Sequence, residues 1–343
     1  MGISREIYEY CELCPRKCHA DRTGDGLGFC GMGAEAVLAK AMLHPWEEPG
    51  ITGNGAPSGA VFFTGCTMQC VYCQNRVISE SGSRSPIGVP RTPEQMAQIF
   101  LRLQKEGASN IDLVTPTHFL PDITAALDLC QGKLTIPVVY NTGGYERAEI
   151  IRAVSPYIDY WLPDVKYFDD SLSVRYSRAP RYFETACEAL AEMIAAAEKK
   201  FAEKAAERKH AKKDPADPAD STSARLRPAK EHIIVRHMVL PGQKEDSIRI
   251  LKELAARFGT EKFLVSLMSQ YTPQEGISAG TAADTGTSSA PAGGNFPELS
   301  RRVTSYEYEK VVEEALGLGF DGYRQDRTTA KKEYTPEFDL SGL

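Results

Sequence analysis

The 343-residue sequence has no run approaching the ~20 consecutive apolar residues that a bilayer-spanning helix needs. Its first ten residues lack the apolar core of a secretory signal. Glu6 stands where a myristoylated Met-Gly start requires Ser or Thr. A cytoplasmic location is therefore expected. Positive charge is also short: 40 Lys and Arg against 46 Asp and Glu leave a net charge of −6. That balance argues against general affinity for nucleic acid or an anionic membrane surface. No repeat of solenoid period is present. At 42% hydrophobic and 25% charged residues, the composition is that of an ordinary globular protein, long enough for a sizeable core.

What the sequence does have is cysteine, unevenly spread. Seven of the nine lie at Cys11, Cys14, Cys18, Cys30, Cys66, Cys70 and Cys73. Without an export signal, such groups read as metal ligands rather than as a disulfide framework. Cys130 and Cys187 stand alone, on the inward faces of predicted helices, and read as core residues.

Residues 1–50 form a segment rich in Cys and Gly, with little periodic pattern. From residue 51 to 343 a strand–helix rhythm takes over. Strands are expected at 59–65, 110–115, 136–141, 158–165, 233–240 and 262–269, with a closing strand at 320–324. The helix expected over 92–104 opens with a Thr92–Gln95 capping box and Pro93 at its first position. A short helix is expected from Glu146. Six or more strands alternating with helices indicate an α/β fold with a parallel sheet. Two insertions interrupt it. The first, at 198–231, is locally basic but carries no interleaved aromatics, so it reads as a solvated spacer that extends the preceding helix at its start. The second, at 272–298, is a Gly/Ala/Thr/Ser-rich loop.

Cys66-Thr67-Met68-Gln69-Cys70-Val71-Tyr72-Cys73 carries the chemistry. A [4Fe–4S] cluster normally takes four cysteines. Three thiolates just beyond a strand leave one iron with an open position. S-adenosylmethionine can fill it through its amino and carboxylate groups, accept an electron, and release a 5′-deoxyadenosyl radical. Zinc usually takes four protein ligands, and free thiols would not explain the spacing.

CTMQCVYC resembles the cluster motif of the radical S-adenosylmethionine superfamily. HPWEEPGITG, GAVFFTGCTMQCVYCQN, TPTHFLPDI, YNTGGYE, YWLPDVKYFD, IIVRHMVLPG, VSLMSQYTP and DGYRQ resemble one branch of it, the relatives of pyruvate formate-lyase activating enzymes. The resemblance implies a partial (β/α)6 barrel whose functional groups gather at the C-terminal strand ends. It implies a cofactor neighbour in Tyr72. Thr115 and Thr117 stand where the family usually has a Gly-Gly-Glu segment for the cofactor's amino group. Asn141 opens a segment similar to the family's Asp-Thr-Asn-Gly-Phe. Asp164 and Lys166 alternate at a strand end and suit a zwitterionic ligand, or else form a rim ion pair. Arg236 is the candidate for the cofactor carboxylate. His118 and His237 read as core residues, and Gln270 and Tyr271 as substrate-side candidates.

Cys11, Cys14, Cys18 and Cys30 offer four further ligands, for a second cluster or for zinc. The sequence thus predicts a radical enzyme that abstracts hydrogen from a substrate. Expected partners are a reductant such as flavodoxin or ferredoxin and, through the resemblance, a glycyl radical enzyme. The alternative is an iron–sulfur protein that senses redox state or serves structure without turnover.

Overall fold

The computed structural model describes residues 2–52, 55–80, 87–210, 228–274, 295–325 and 336–343. Among the described residues, nine strands form two sheets. The first runs in the order β3-β1-β2-β4-β5-β6 and the second β7-β8-β9. Their ranges are β1 Val37–His44, β2 Ser58–Phe63, β3 Val89–Pro90, β4 Ile111–Val114, β5 Val138–Thr142 and β6 Tyr160–Pro163, then β7 Ile234–Met238, β8 Leu264–Met268 and β9 Gly322–Arg324. From β2 to β6 each neighbour pairs parallel, as do β7 to β9. Parallel bridges Trp161↔Ile233 and Asp164↔Arg236 join the two sheets beside β6 and β7. The result is one α/β fold with a mostly parallel sheet.

Short helices α1 Pro49–Thr52 and α2 Arg76–Ser79 flank β2 in sequence. The crossovers are α3 Pro93–Lys105, α4 Leu120–Leu129, α5 Ala148–Val154, α6 Asp170–Ser177, α7 Tyr182–His210, α8 Lys244–Phe258 and α9 Ser305–Leu318. The α3 capping box forms as its sequence predicts, with Thr92 and Gln95 satisfying each other's backbone amides. Met96, Ile99, Phe100 and Leu103 of α3 are buried against the sheet. β2 is buried along its whole length, as expected of a strand covered on both faces.

Three expectations change. β1 pairs antiparallel with both β2 and β3, outside the parallel crossover series, so periodic crossover patterns did not reveal β1 and β3. Because β1 belongs to the same sheet as β2, the sheet begins before residue 50. Glu146 starts no helix, since α5 begins at Ala148. Helix α7 does run into the first insertion as far as His210, while 211–227 and 275–294 lie outside the described residues. No helix among the described residues is long and apolar enough to cross a membrane.

Candidate functional site

β2 delivers the chain into the cysteine loop through Gly65. Its φ of +87° lies in the left-handed region, and a Cβ there would meet the Cys30 carbonyl oxygen at 2.8 Å. Gln69, also left-handed, donates its side-chain amide to the Phe29 carbonyl at 2.8 Å. A turn closed by Cys73 N–H donating to the Cys70 carbonyl at 3.0 Å brings the last two thiols round. Cys66, Cys70 and Cys73 then line one cavity of about 740 Å³, set against the inner faces and C-terminal ends of the parallel strands.

Burial pushes the Cys70 thiol up and the Cys73 thiol up to about 12, so ionisation there requires a cation in place of water. Ser177 Oγ donates to Cys70 Sγ at 2.9 Å. Behind it, Tyr167 and Ser177 hydroxyls lie 2.6 Å apart, as do Tyr72 and Tyr167. Were Cys70 ligated to a metal, its sulfur would only accept. Ser177 would then accept from Tyr167, and Tyr167 from Tyr72, which fixes the direction of the chain. We expect Ser177→Ala to lower the reduction potential of a cluster at Cys70 by on the order of 40 mV, one hydrogen bond of roughly 1 kcal/mol for a single electron. Spectroscopic redox titration measures this directly.

Among the described residues, no three His, Cys, Asp or Glu groups converge as the ligands of a single metal ion do. Structural zinc demands such convergence. No fourth cysteine among the described residues lines the cavity. Three thiols on one wall of an open cavity fit a polynuclear cluster that leaves one iron for a ligand from outside the protein.

Tyr72, Thr115, Thr117, Asn141, Asp164, Lys166 and Arg236 all line this same cavity. Their individual states differ. Asp164 and Lys166 pair with each other while facing the cavity, so the ion pair and the cavity position coexist. Burial opposes the Lys166 charge, but Asp164 and the Cys70 side chain outweigh it and hold the ammonium protonated. Thr115 takes a left-handed φ of +57° and donates its amide to the Asn141 carbonyl at 2.8 Å. Asn141 donates its side-chain amide to Asp112 at 3.2 Å. Arg236 lines the cavity with its guanidinium engaged by two carboxylates. Its Nε donates to Glu48 at 2.8 Å, and its Nη2 pairs with both Glu47 and Glu48. Gln270 lines the cavity, whereas Tyr271 is buried in the aromatic layer beneath Tyr72. His237 bonds Val165 O and Ser247, and His118 bonds Thr64 O, both as core residues.

Two groups escaped sequence reasoning. Glu47 and Glu48 reach Arg236 across 189 and 188 positions, a pairing no local pattern encodes. Glu146 lies beneath the cavity floor, accepting from Thr117 at 2.6 Å and from Thr142. Burial pushes its carboxyl up to about 7, with hydrogen bonds from Thr117, Thr142 and Tyr140 opposing. The sign follows from linkage: the unfolded carboxyl ionises near 4.5 while the folded one stays protonated. Stability is therefore fully present below about pH 4.5 and declines by about 3 kcal/mol through pH 7. Glu146→Gln is expected to remove that slope and to be the more stable protein at pH 8, by urea denaturation at pH 5 and 8.

Residues 60–200, from β2 into α7, match the sequence model of the Radical SAM superfamily. An uncharacterized protein of Methanocaldococcus jannaschii is 24% identical over 324 residues, covering 93% of this chain and 78% of that protein. QueE from Escherichia coli is similar in structure at a TM-score of 0.43 and 11% identity, over 87% of this chain and 97% of that one. A radical SAM methyltransferase from Sphaerobacter thermophilus gives 0.46 and 11%, over 85% and 77%. Streptococcus suis SuiB bound to S-adenosylmethionine gives 0.41 and 10%, over 76% of this chain and 48% of that one. The chain thus spans about half the length of SuiB.

Proposed function

We propose that this chain reductively cleaves S-adenosylmethionine at a [4Fe–4S] cluster held by Cys66, Cys70 and Cys73, and abstracts hydrogen from a substrate. The observation that carries this reading is one large cavity with three thiols on its wall, those of Cys70 and Cys73 desolvated, and no fourth cysteine among its described lining residues. The family match over 60–200 supports it. When bound, the cluster supplies the electron that breaks a carbon–sulfur bond of the sulfonium.

The chain's own residues bind, orient and exclude water. Lys166 keeps its proton and sets a positive charge toward Cys70 and Cys73. The tyrosines at 72, 167, 176 and 271 pack edge to face behind the loop and keep water from the back of Cys70. Gly143 lets the backbone approach Met68 of the loop, since a Cβ there would meet the Met68 sulfur at 2.7 Å. The curved run from β2 to β9 serves as the wall of a partial (β/α)6 barrel, with the segment before β1 as its cysteine-rich extension. Within this activity the resemblance to activating enzymes favours a glycyl radical partner protein as substrate, with flavodoxin or ferredoxin as reductant. The test is anaerobic incubation of the reconstituted protein with dithionite and S-adenosylmethionine. Formation of 5′-deoxyadenosine is expected. An intact cluster that forms none would make this a redox sensor rather than an enzyme.

A further inference from the structure

A second group of thiols lies outside the cavity. Cys11 N–H donates to the Ala20 carbonyl, and His19 N–H returns to the Cys11 carbonyl, both at 3.1 Å. A second turn, from Lys17 N–H to the Cys14 carbonyl at 3.1 Å, curls the chain between them. Gly28 donates to the Met32 carbonyl at 3.0 Å and so folds Cys30 back onto the first loop. A Cβ at Gly28 would lie 3.2 Å from Cys30 Sγ and 3.6 Å from Cys18 Sγ, so only glycine leaves the space between those two sulfurs open. Lys17 and His19, on either side of Cys18, both hold left-handed backbone at φ +40° and +54°. Such strain persists only where the surroundings impose it.

Arg22 supplies an independent observation. It is 1% exposed, and its Nη1 lies 3.6 Å from Cys11 Sγ. Its remaining donors go to the carbonyls of Met32, Gly33 and His118, and it lies over the Tyr8 ring at 4.5 Å. No carboxylate forms an ion pair with it among the described residues. A buried guanidinium without a counter-anion is costly. Asp122, a carboxylate within its electrostatic reach, is bound by Arg5 and Tyr8 instead, so the thiol sulfurs beside Arg22 supply its direct counter-anion once a metal holds them ionised.

We infer that Cys11, Cys14, Cys18 and Cys30 hold a [4Fe–4S] cluster, whose net negative charge neutralises Arg22. Zinc is disfavoured because no three of these sulfurs converge on one ion position, the same behaviour as the Cys66, Cys70 and Cys73 group. All four are free thiols, which leaves them available as ligands. The site abuts the first one. Arg16, lying over Phe29 at 3.9 Å, donates to Thr67 O at 2.8 Å and Ser177 O at 2.9 Å, and Gln69 donates to Phe29 O.

The test uses the full chain with Cys66, Cys70 and Cys73 all changed to Ala, purified anaerobically. We expect about four iron and four sulfide per chain, with a paramagnetic signal on dithionite reduction. About one zinc per chain, or a folded protein with no iron, overturns the inference. If that variant does not fold, the unaltered chain and a variant carrying Cys11→Ser, Cys14→Ser and Cys30→Ser decide the matter. Iron falling from about eight to about four per chain supports the second cluster, and iron already at about four in the unaltered chain overturns it.

Discussion

Cys70→Ala is expected to abolish 5′-deoxyadenosine formation, a fall of at least ~10³-fold to background, together with loss of the iron bound at the cavity. Cys70 sits between Cys66 and Cys73 on the cavity wall, and it alone of the three receives the Ser177 hydroxyl at 2.9 Å. Removing it leaves two thiols, too few to hold a cubane cluster against solvent. Cys130→Ala is the matched control. That thiol is buried in the main core and contacts the Ala97 carbonyl at 3.7 Å, far in the chain from either cysteine group. It should cost about 1 kcal/mol of stability and leave iron content and product unchanged. Iron analysis beside product chromatography on the two variants separates a ligand from a core cysteine.

The second large effect is on stability. Arg236→Met is expected to destabilise the fold by about 3–5 kcal/mol, because it leaves Glu47 and Glu48 buried without their cation. Burial alone would raise the Glu48 carboxyl, but the Arg236 guanidinium outweighs it and holds that carboxyl below its ordinary value. Nearby Asp112 shows the opposite outcome: burial, reinforced by the Glu47 charge, pushes its carboxyl well above the usual range. Glu48 thus contributes stability that is present above its unfolded pKa and lost as pH falls through the folded one. Combining Arg236→Met with Glu47→Gln and Glu48→Gln should recover most of the loss. Urea denaturation at pH 7 checks both variants. An unchanged midpoint in Arg236→Met would mean that the carboxylates are hydrated and the network carries no weight.

The cysteine loop was legible in the sequence because its chemistry depends on spacing within eight residues, and Gly65 before it marks the strand end. The α3 cap was legible for the same reason: Thr92, Pro93 and Gln95 act on one another. Thr115, Asn141, Asp164 and Arg236 could be placed at one cavity because parallel strands put their C-terminal ends side by side. What each of them does there could not be read, since the partner lies elsewhere in the chain. Arg236 finds Glu47 and Glu48, and Asn141 finds Asp112. Glu146 carried a misleading local signal: an acid at a helix start is ordinary, and only the tertiary fold turns it inward under Thr117 and Thr142. β1 escaped because an antiparallel strand ahead of the crossover series belongs to no periodic pattern.

One spectroscopic comparison bears most directly on an iron left one protein ligand short. In the chain carrying Cys11→Ser, Cys14→Ser and Cys30→Ser, any reduced cluster signal arises from Cys66, Cys70 and Cys73. Adding S-adenosylmethionine should shift that signal, and methionine labelled with ¹⁷O or ¹⁵N in the cofactor should show coupling to a single iron. A signal that ignores the cofactor, from a cluster with four protein ligands, would contradict the proposed chemistry.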